Sequence, residues 1–226
     1  MHALRSIALV ALLPLATLVN GVESVHAAAP AAAAPQSQVI TKDELVELLR
    51  AVPGVKARYK EERRLALLAV PLVSEGTIHF APPTKLARHQ SSPAKASVVV
   101  DGKRLRFGDD VGRDDIDLAS NPVVAVFVDS FLQVLAGDAE ALAKHYTIEF
   151  AGGTASDARA WTMTLRPKGA PMTKIVERIT LRGREATVRE LEVLEVGGDS
   201  TLTTFLDVDI THKYGDKEIA EVFRVP

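Results

Sequence analysis

The sequence contains no cysteine. Disulfides, zinc thiolates, a thiol nucleophile and a lipid-anchored N-terminal cysteine are therefore excluded. Neither sign of charge dominates: 27 basic residues against 29 acidic ones leave a formal net charge of −2. A nucleic-acid partner calls for a basic face, so none is expected. The common motifs of phosphate binding and nucleophilic catalysis are also missing, namely the P-loop, G-x-G-x-x-G, the G-x-S-x-G elbow and H-E-x-x-H. Four histidines follow residue 27 (His79, His89, His145 and His212), and none has a partner at metal-binding spacing. Asp129, Ser130 and His145 hold the residue types of a hydrolase relay. Sequence neighbours on one helix diverge by about 100°, however, which is poor relay geometry. With no constellation of reacting groups, the residues read as a binding protein that is not an enzyme and needs no cofactor or metal. A hydrolase built on His145 or His212 is the catalytic alternative.

What is present begins with residues 1–27, which read as a secretory signal: His2 and Arg5, an apolar core from Ile7 to Val19, then Val25-His26-Ala27 as a cleavage site near Ala27. The apolar run falls short of the roughly 20 residues that a membrane span needs. A periplasmic location follows as an expectation. Residues 28–39, rich in Ala and Pro, cannot build a core and read as a disordered tail. Residues 40–226 are expected to form a single domain.

Thr41 to Glu44 forms a capping box that opens a helix through Leu45, Leu48 and Leu49. Val55 to Val70 reads as a long strand on which Glu61-Glu62-Arg63-Arg64 is a solvated face. Gly76 to Phe80 alternates, with Ile78 and Phe80 on an apolar side and Thr77 and His79 on a wet side, until Pro82-Pro83 stops the strand. Asp101-Gly102 fits a two-residue hairpin turn that sets Val100 opposite Lys103 and Val98 opposite Leu105. Val98, Val100, Leu105 and Phe107 then share one face, and Ser97, Arg104 and Arg106 share the other. Residues 109–117 carry five carboxylates and read as a surface loop, because their spacing does not match a calcium loop.

Asn121-Pro122 starts a second helix, Val123 to Ala136, with Phe127 and Phe131 on an apolar arc too wide for a surface helix. It is expected to be either a core helix or a lid. Gly137 closes it, and Asp138 caps a third helix towards His145. Strands follow at Tyr146–Phe150, Ala160–Arg166 (Trp161, Met163 and Leu165 on one face), Ile175–Arg182, Ala186–Val196 and Thr201–Ile210. In the last, Leu202, Thr204, Leu206, Val208 and Ile210 are expected on one side. Residues 221–226 read as a closing edge strand. Nine or ten strands with two or three helices make an α+β fold, a strongly curved antiparallel sheet with helices on its concave face.

Ser74-Glu75-Gly76-Thr77-Ile78-His79-Phe80-Ala81-Pro82-Pro83, followed by Val99-Val100-Asp101-Gly102-Lys103-Arg104-Leu105, resembles the opening strands of the LolA-type periplasmic lipoprotein carriers, closest to their divergent branch. The order of elements is similar through the Trp161-to-Lys168 strand to the closing F-x-V-P. The resemblance implies an incomplete β-barrel, or half-barrel, under a helical lid, whose apolar cavity shields acyl chains on the way to the outer membrane. On that reading Ile78, Phe80, Val98, Leu105, Phe107, Phe127, Phe131, Trp161 and Met163 line the cavity. The implied partners are an acylated lipoprotein or other lipid-like cargo, an inner-membrane exporter and an outer-membrane acceptor. The carrier is expected to be a monomer. The family's lid-fastening arginine, just before the proline that ends the S-x-G strand, is replaced here by Ala81. Cargo of the divergent branch includes polyene or glycolipid products. A non-catalytic scaffold docking through residues 109–117 is the alternative.

Overall fold

The computed structural model describes residues 38–225; the expected signal and most of the expected tail lie outside the described residues. Helix α1 (Lys42–Arg50) leads into β1 (Val55–Arg64), β2 (Leu72–Ala81), β3 (Lys85–Ser92), β4 (Ala96–Asp101), β5 (Arg104–Asp109) and β6 (Arg113–Asp117). Helices α2 (Pro122–Leu135) and α3 (Ala139–His145) follow, then β7 (Tyr146–Thr154), β8 (Asp157–Pro167), β9 (Val176–Arg184), β10 (Thr187–Glu195), β11 (Ser200–Asp209) and α4 (Asp216–Val222). All eleven described strands form one antiparallel sheet in the order β6-β5-β4-β3-β2-β1-β11-β10-β9-β8-β7. The sheet is curved and does not close. Its two edges, β6 and β7, are joined in sequence through α2 and α3, which carries those helices across the concave side.

Local chemistry accounts for the helix ends. Thr41 Oγ1 accepts from the Glu44 amide at 3.2 Å and caps α1. The other half of the expected capping box is absent, because the Glu44 carboxylate turns to Arg159 at 2.7 Å. Pro122 supplies the first turn of α2, while Asn121 makes no side-chain cap bond. Asp138 Oδ1 accepts from the Ala141 amide at 3.0 Å and starts α3. The largest core cluster lies under α1 and α2 and joins Ile40, Leu45, Leu49 and Val134 to Tyr146, Trp161, Leu165 and Ile179. Gly183 pairs with Trp161 across β8 and β9, and a Cβ there would meet the indole ring at 2.4 Å. The aromatic ring occupies the room that only glycine leaves.

Several expectations need correction. Residues 85–92, to which no element is assigned between the stop at Pro82-Pro83 and the hairpin strands, form β3. Residues 113–117 form the edge strand β6 rather than a loop, held by pairs such as Arg104–Asp115 at 3.1 Å. The hairpin turn falls on Gly102-Lys103, with Val100 opposite Leu105 and Val98 opposite Phe107. The shift is two residues, so each side chain keeps its expected face. The closing segment expected as an edge strand from residue 221 instead ends a helix, Asp216–Val222, because Ile219, Val222 and Phe223 form an apolar stripe that packs on the sheet.

A further correction concerns β11. Asp207 takes a left-handed backbone (φ 51°), and the pairing with β1 slips there. A bulge of this kind reverses which side chains face inward. Thr203 and Phe205 point inward before it and Val208 and Ile210 after it, while Leu202 and Leu206 are left exposed.

The convex face of β2–β4 was expected to be wet. Instead α4 lays Phe223 and Tyr214 over Ala81, Ala87 and Val99. His79 is buried beneath them with 6% of its surface exposed. Tyr214 Oη donates to the Val55 carbonyl at 2.7 Å, so it accepts from His79 Nδ1 at 3.1 Å. His79 Nε2 then accepts from Thr77 Oγ1 at 3.2 Å. Burial pushes the His79 pKa down to about 4, with smaller effects from His89 and Lys56.

Candidate functional site

The concave face changes character across the sheet. One row of paired residues runs Phe150, Met163, Leu181 and Leu191, then Thr203, Glu61 and Ser74. It is apolar from β7 to β10 and polar from β11 to β2. Another row places Ala57, Ile78, Arg88, Val98 and Phe107 side by side from β1 to β5. Arg88 thus stands between two apolar neighbours on the inner face.

Two cavities lie under α2. The first is about 60 Å³, room for only a few atoms, and its walls are carbon apart from Ser130. The second is about 420 Å³ and is bordered by Phe127, Phe131, Tyr59, Glu61, Arg88 and Thr203 among others. Ile78, Phe131, Leu191 and Phe205 line both spaces and separate them. Phe127 and Phe131 pack as a tilted pair with 5.4 Å between ring centres, and these α2 aromatics form the roof. At the same end of the sheet the β1–β2 connection leaves Leu67 (96% exposed), Leu68 and Val70 open to solvent, as is Leu72 at the start of β2.

The polar side of the larger cavity is a connected cluster. Glu61 Oε1 accepts from Arg88 Nη2 at 2.9 Å, and Glu61 Oε2 accepts from Thr203 Oγ1 at 3.1 Å. Arg88 Nη2 also reaches Ser74 Oγ at 3.3 Å. The guanidinium carbon lies 4.4 Å from the centre of the Tyr59 ring, within cation–π range. Tyr59 is buried, and its hydroxyl has no hydrogen-bond partner among the described residues. Burial raises its pKa above the ordinary phenol value. The expectation that Glu61 sits on a solvated face is therefore wrong. Residues 55, 57, 59 and 61 alternate onto the inner side, and Glu61 is tolerated there because Arg88, Ser74 and Thr203 satisfy it.

Of the residues expected to line a cavity, Ile78, Phe80, Phe127 and Phe131 border the two spaces. Trp161 and Met163 are packed in the closed core beneath α1. Leu105 packs on the smaller cluster around Phe80 and Val100. Val98 and Phe107 keep 37% and 40% of their surface exposed, away from both spaces. The geometry adds Tyr59, Arg88, Leu191 and Phe205. Tyr59 was detectable from its alternation with Glu61, but Arg88 was hidden in a strand that looked like a polar loop.

The residues named for a hydrolase lie in separate surroundings. Ser130 bonds to the Val126 carbonyl and to Tyr146 Oη at 3.0 Å, while His145 is exposed. His212 is tied to Glu218 at 2.9 Å on the convex side. The acidic segment spends much of its charge internally: Asp109 accepts from the Val111 and Gly112 amides, and Asp117 accepts from Ala119.

The family described as outer membrane lipoprotein carrier protein LolA-like matches residues 28–211. No curated protein matches the chain. Among solved structures it is similar to a LolA superfamily protein from Nitrosomonas europaea, at 11% identity over 82% of this chain and 98% of that one with a TM-score of 0.42. It is similar to MucB at 15% identity over 78% of this chain and 61% of that one, with a TM-score of 0.46. A DUF1329 family protein from Desulfovibrio piger shares 10% identity over 81% of this chain and 97% of that one, with a TM-score of 0.48. Matched along most of its length, and folded as one open curved sheet with helices on the concave side, the chain belongs to the LolA-like family of outer membrane lipoprotein carriers.

Proposed function

We propose that this protein is a periplasmic carrier that shields the acyl chains of a lipoprotein, or of another exported lipid-like molecule, beneath α2 on the way to the outer membrane. The observation that supports this most directly is the pair of adjoining cavities separated only by side chains, with Phe131 of α2 shared between them. An outward shift of α2 withdraws Phe131, the one side chain of the shared wall that the helix carries, and opens the way to a single trough. Shielding a sixteen-carbon chain avoids about 12 kcal/mol of apolar exposure, at about 0.8 kcal/mol per methylene. That sum is large enough to drive the displacement of a helix held mostly by packing. Export through residues 1–27 and a monomeric domain from residue 40 belong to the same proposal, as do an inner-membrane donor and an outer-membrane acceptor.

Native mass spectrometry of the protein purified from the periplasm is expected to show a co-purified acyl lipid. Phe131→Glu is expected to abolish it by placing a charge in the shared wall. A protein that neither retains nor accepts an acyl chain is not a carrier. The competing scaffold reading draws on the small apolar cavity, which is close to a packed core. It requires binding to an export complex that survives Phe131→Glu.

A further inference from the structure

The larger cavity holds two acids and two bases. Glu61 is bonded to Arg88, and Arg63 lies 3.5 Å from Glu195. Its formal charges cancel, so a ligand that brings a net charge finds no free counter-ion there. Hydrogen-bonding capacity is nonetheless left over. The Tyr59 hydroxyl is buried without a partner, although Ser74 and Arg88 lie beside it. Arg88 makes both of its hydrogen bonds from Nη2, which leaves Nε and Nη1 without a protein partner among the described residues. Buried polar groups are normally satisfied, so an orphan hydroxyl beside spare N–H groups in a cavity suits a ligand that completes them. The apolar wall formed by Ile78, Phe131 and Phe205 begins at the same place.

Resting on the carrier reading, we propose that the Tyr59–Glu61–Arg88 cluster is a headgroup site that selects acyl lipids whose head is uncharged and bears ester or hydroxyl groups. The ester carbonyl accepts from Nε and Nη1 of Arg88, a shift of the guanidinium opens the buried Tyr59 hydroxyl to it, and the chain runs under Phe131 towards the smaller cavity. Free glycerides and the acylated anchor of a lipoprotein share this chemistry.

The test is displacement of an uncharged naphthylamine fluorophore from the full-length processed protein. The competitors are 1-palmitoylglycerol, palmitate, hexadecyltrimethylammonium and a diacylglyceryl-modified peptide. The glyceride is expected to bind at least about tenfold tighter than either charged lipid of equal chain length. Tyr59→Phe is expected to weaken the glyceride about fivefold relative to the fluorophore. The double variant Glu61→Gln with Arg88→Gln strands no charge and is expected to erase the preference. Equal binding of all three palmityl lipids by the native protein overturns the headgroup site and leaves the carrier reading standing. Persistence of the preference in both variants also overturns it. Failure of every chain to bind sinks both. Peptide binding with the same Tyr59 dependence identifies lipoproteins as the source, and glyceride binding alone identifies free lipids; either supports the site.

Discussion

The two halves of the concave face are built by the same alternation and end up in different states. From β7 to β10 the inward residues Phe150, Met163, Leu181 and Leu191 lie in or against the main core under α1 and α2. From β1 to β5 the inward positions include Glu61, Arg88, Val98 and Phe107, and the last two are more than a third exposed. Alternation decides the side of a sheet on which a residue lies, but only a covering element decides whether that side is dry. The cavities sit at the boundary, where apolar wall gives way to a hydrogen-bonded cluster.

The sharpest way to break this contrast is truncation on each side of it. Trp161→Ala, in the closed half, is expected to cost about 3–5 kcal/mol of unfolding free energy. It also strands the Glu185 carbonyl, which accepts from the indole at 2.8 Å. Phe107→Ala, on the open half, is expected to cost about 2 kcal/mol, because its side chain is already 40% exposed and gives up less burial. Urea unfolding of both variants measures the difference. Similar losses would mean that the distal half is covered in solution.

The convex side tests the same idea through pH. His79 titrates near 4 when folded and near 6.5 when unfolded. The unfolded chain therefore takes up the proton first, so stability is full above about pH 6.5 and falls as the pH drops towards 4. Between those values the native protein is expected to lose about 2 kcal/mol more than His79→Gln, after allowance for partial solvent screening. Denaturant titrations across that range check it. Parallel curves would place His79 in water and undo the covering role of α4.

The smallest effect sharpens the account of the roof. Ser130 links α2 to Tyr146 of β7 through a buried contact. Ser130→Ala is expected to cost about 1 kcal/mol and to speed hydrogen exchange along α2 more than along β8. Uniform exchange would indicate that α2 does not open as a separate unit.

Much of the fold was legible before any coordinates. The alternation of Ile78 with Phe80 and of Trp161 with Met163 put the right residues on the inner face, and Thr41, Pro122 and Asp138 marked three helix starts. The misses share one cause, which is that a partner distant in sequence changed what a residue experiences. β3 has few apolar residues of its own and is a strand because β2 and β4 bracket it. Leu202 and Leu206 turned outward because a single left-handed residue, Asp207, broke their alternation.

By itself the sequence determined the antiparallel α+β architecture, the apolar helix across the sheet and the absence of any thiol chemistry, since these depend on local periodicity and residue type. Tertiary structure alone decided where water is excluded. His79 became a core residue under α4, and Glu61 became an inward charge answered by Arg88 across two strands. The reason is that burial and charge compensation depend on which surfaces meet in space, and neighbouring residues in the chain carry no record of that meeting.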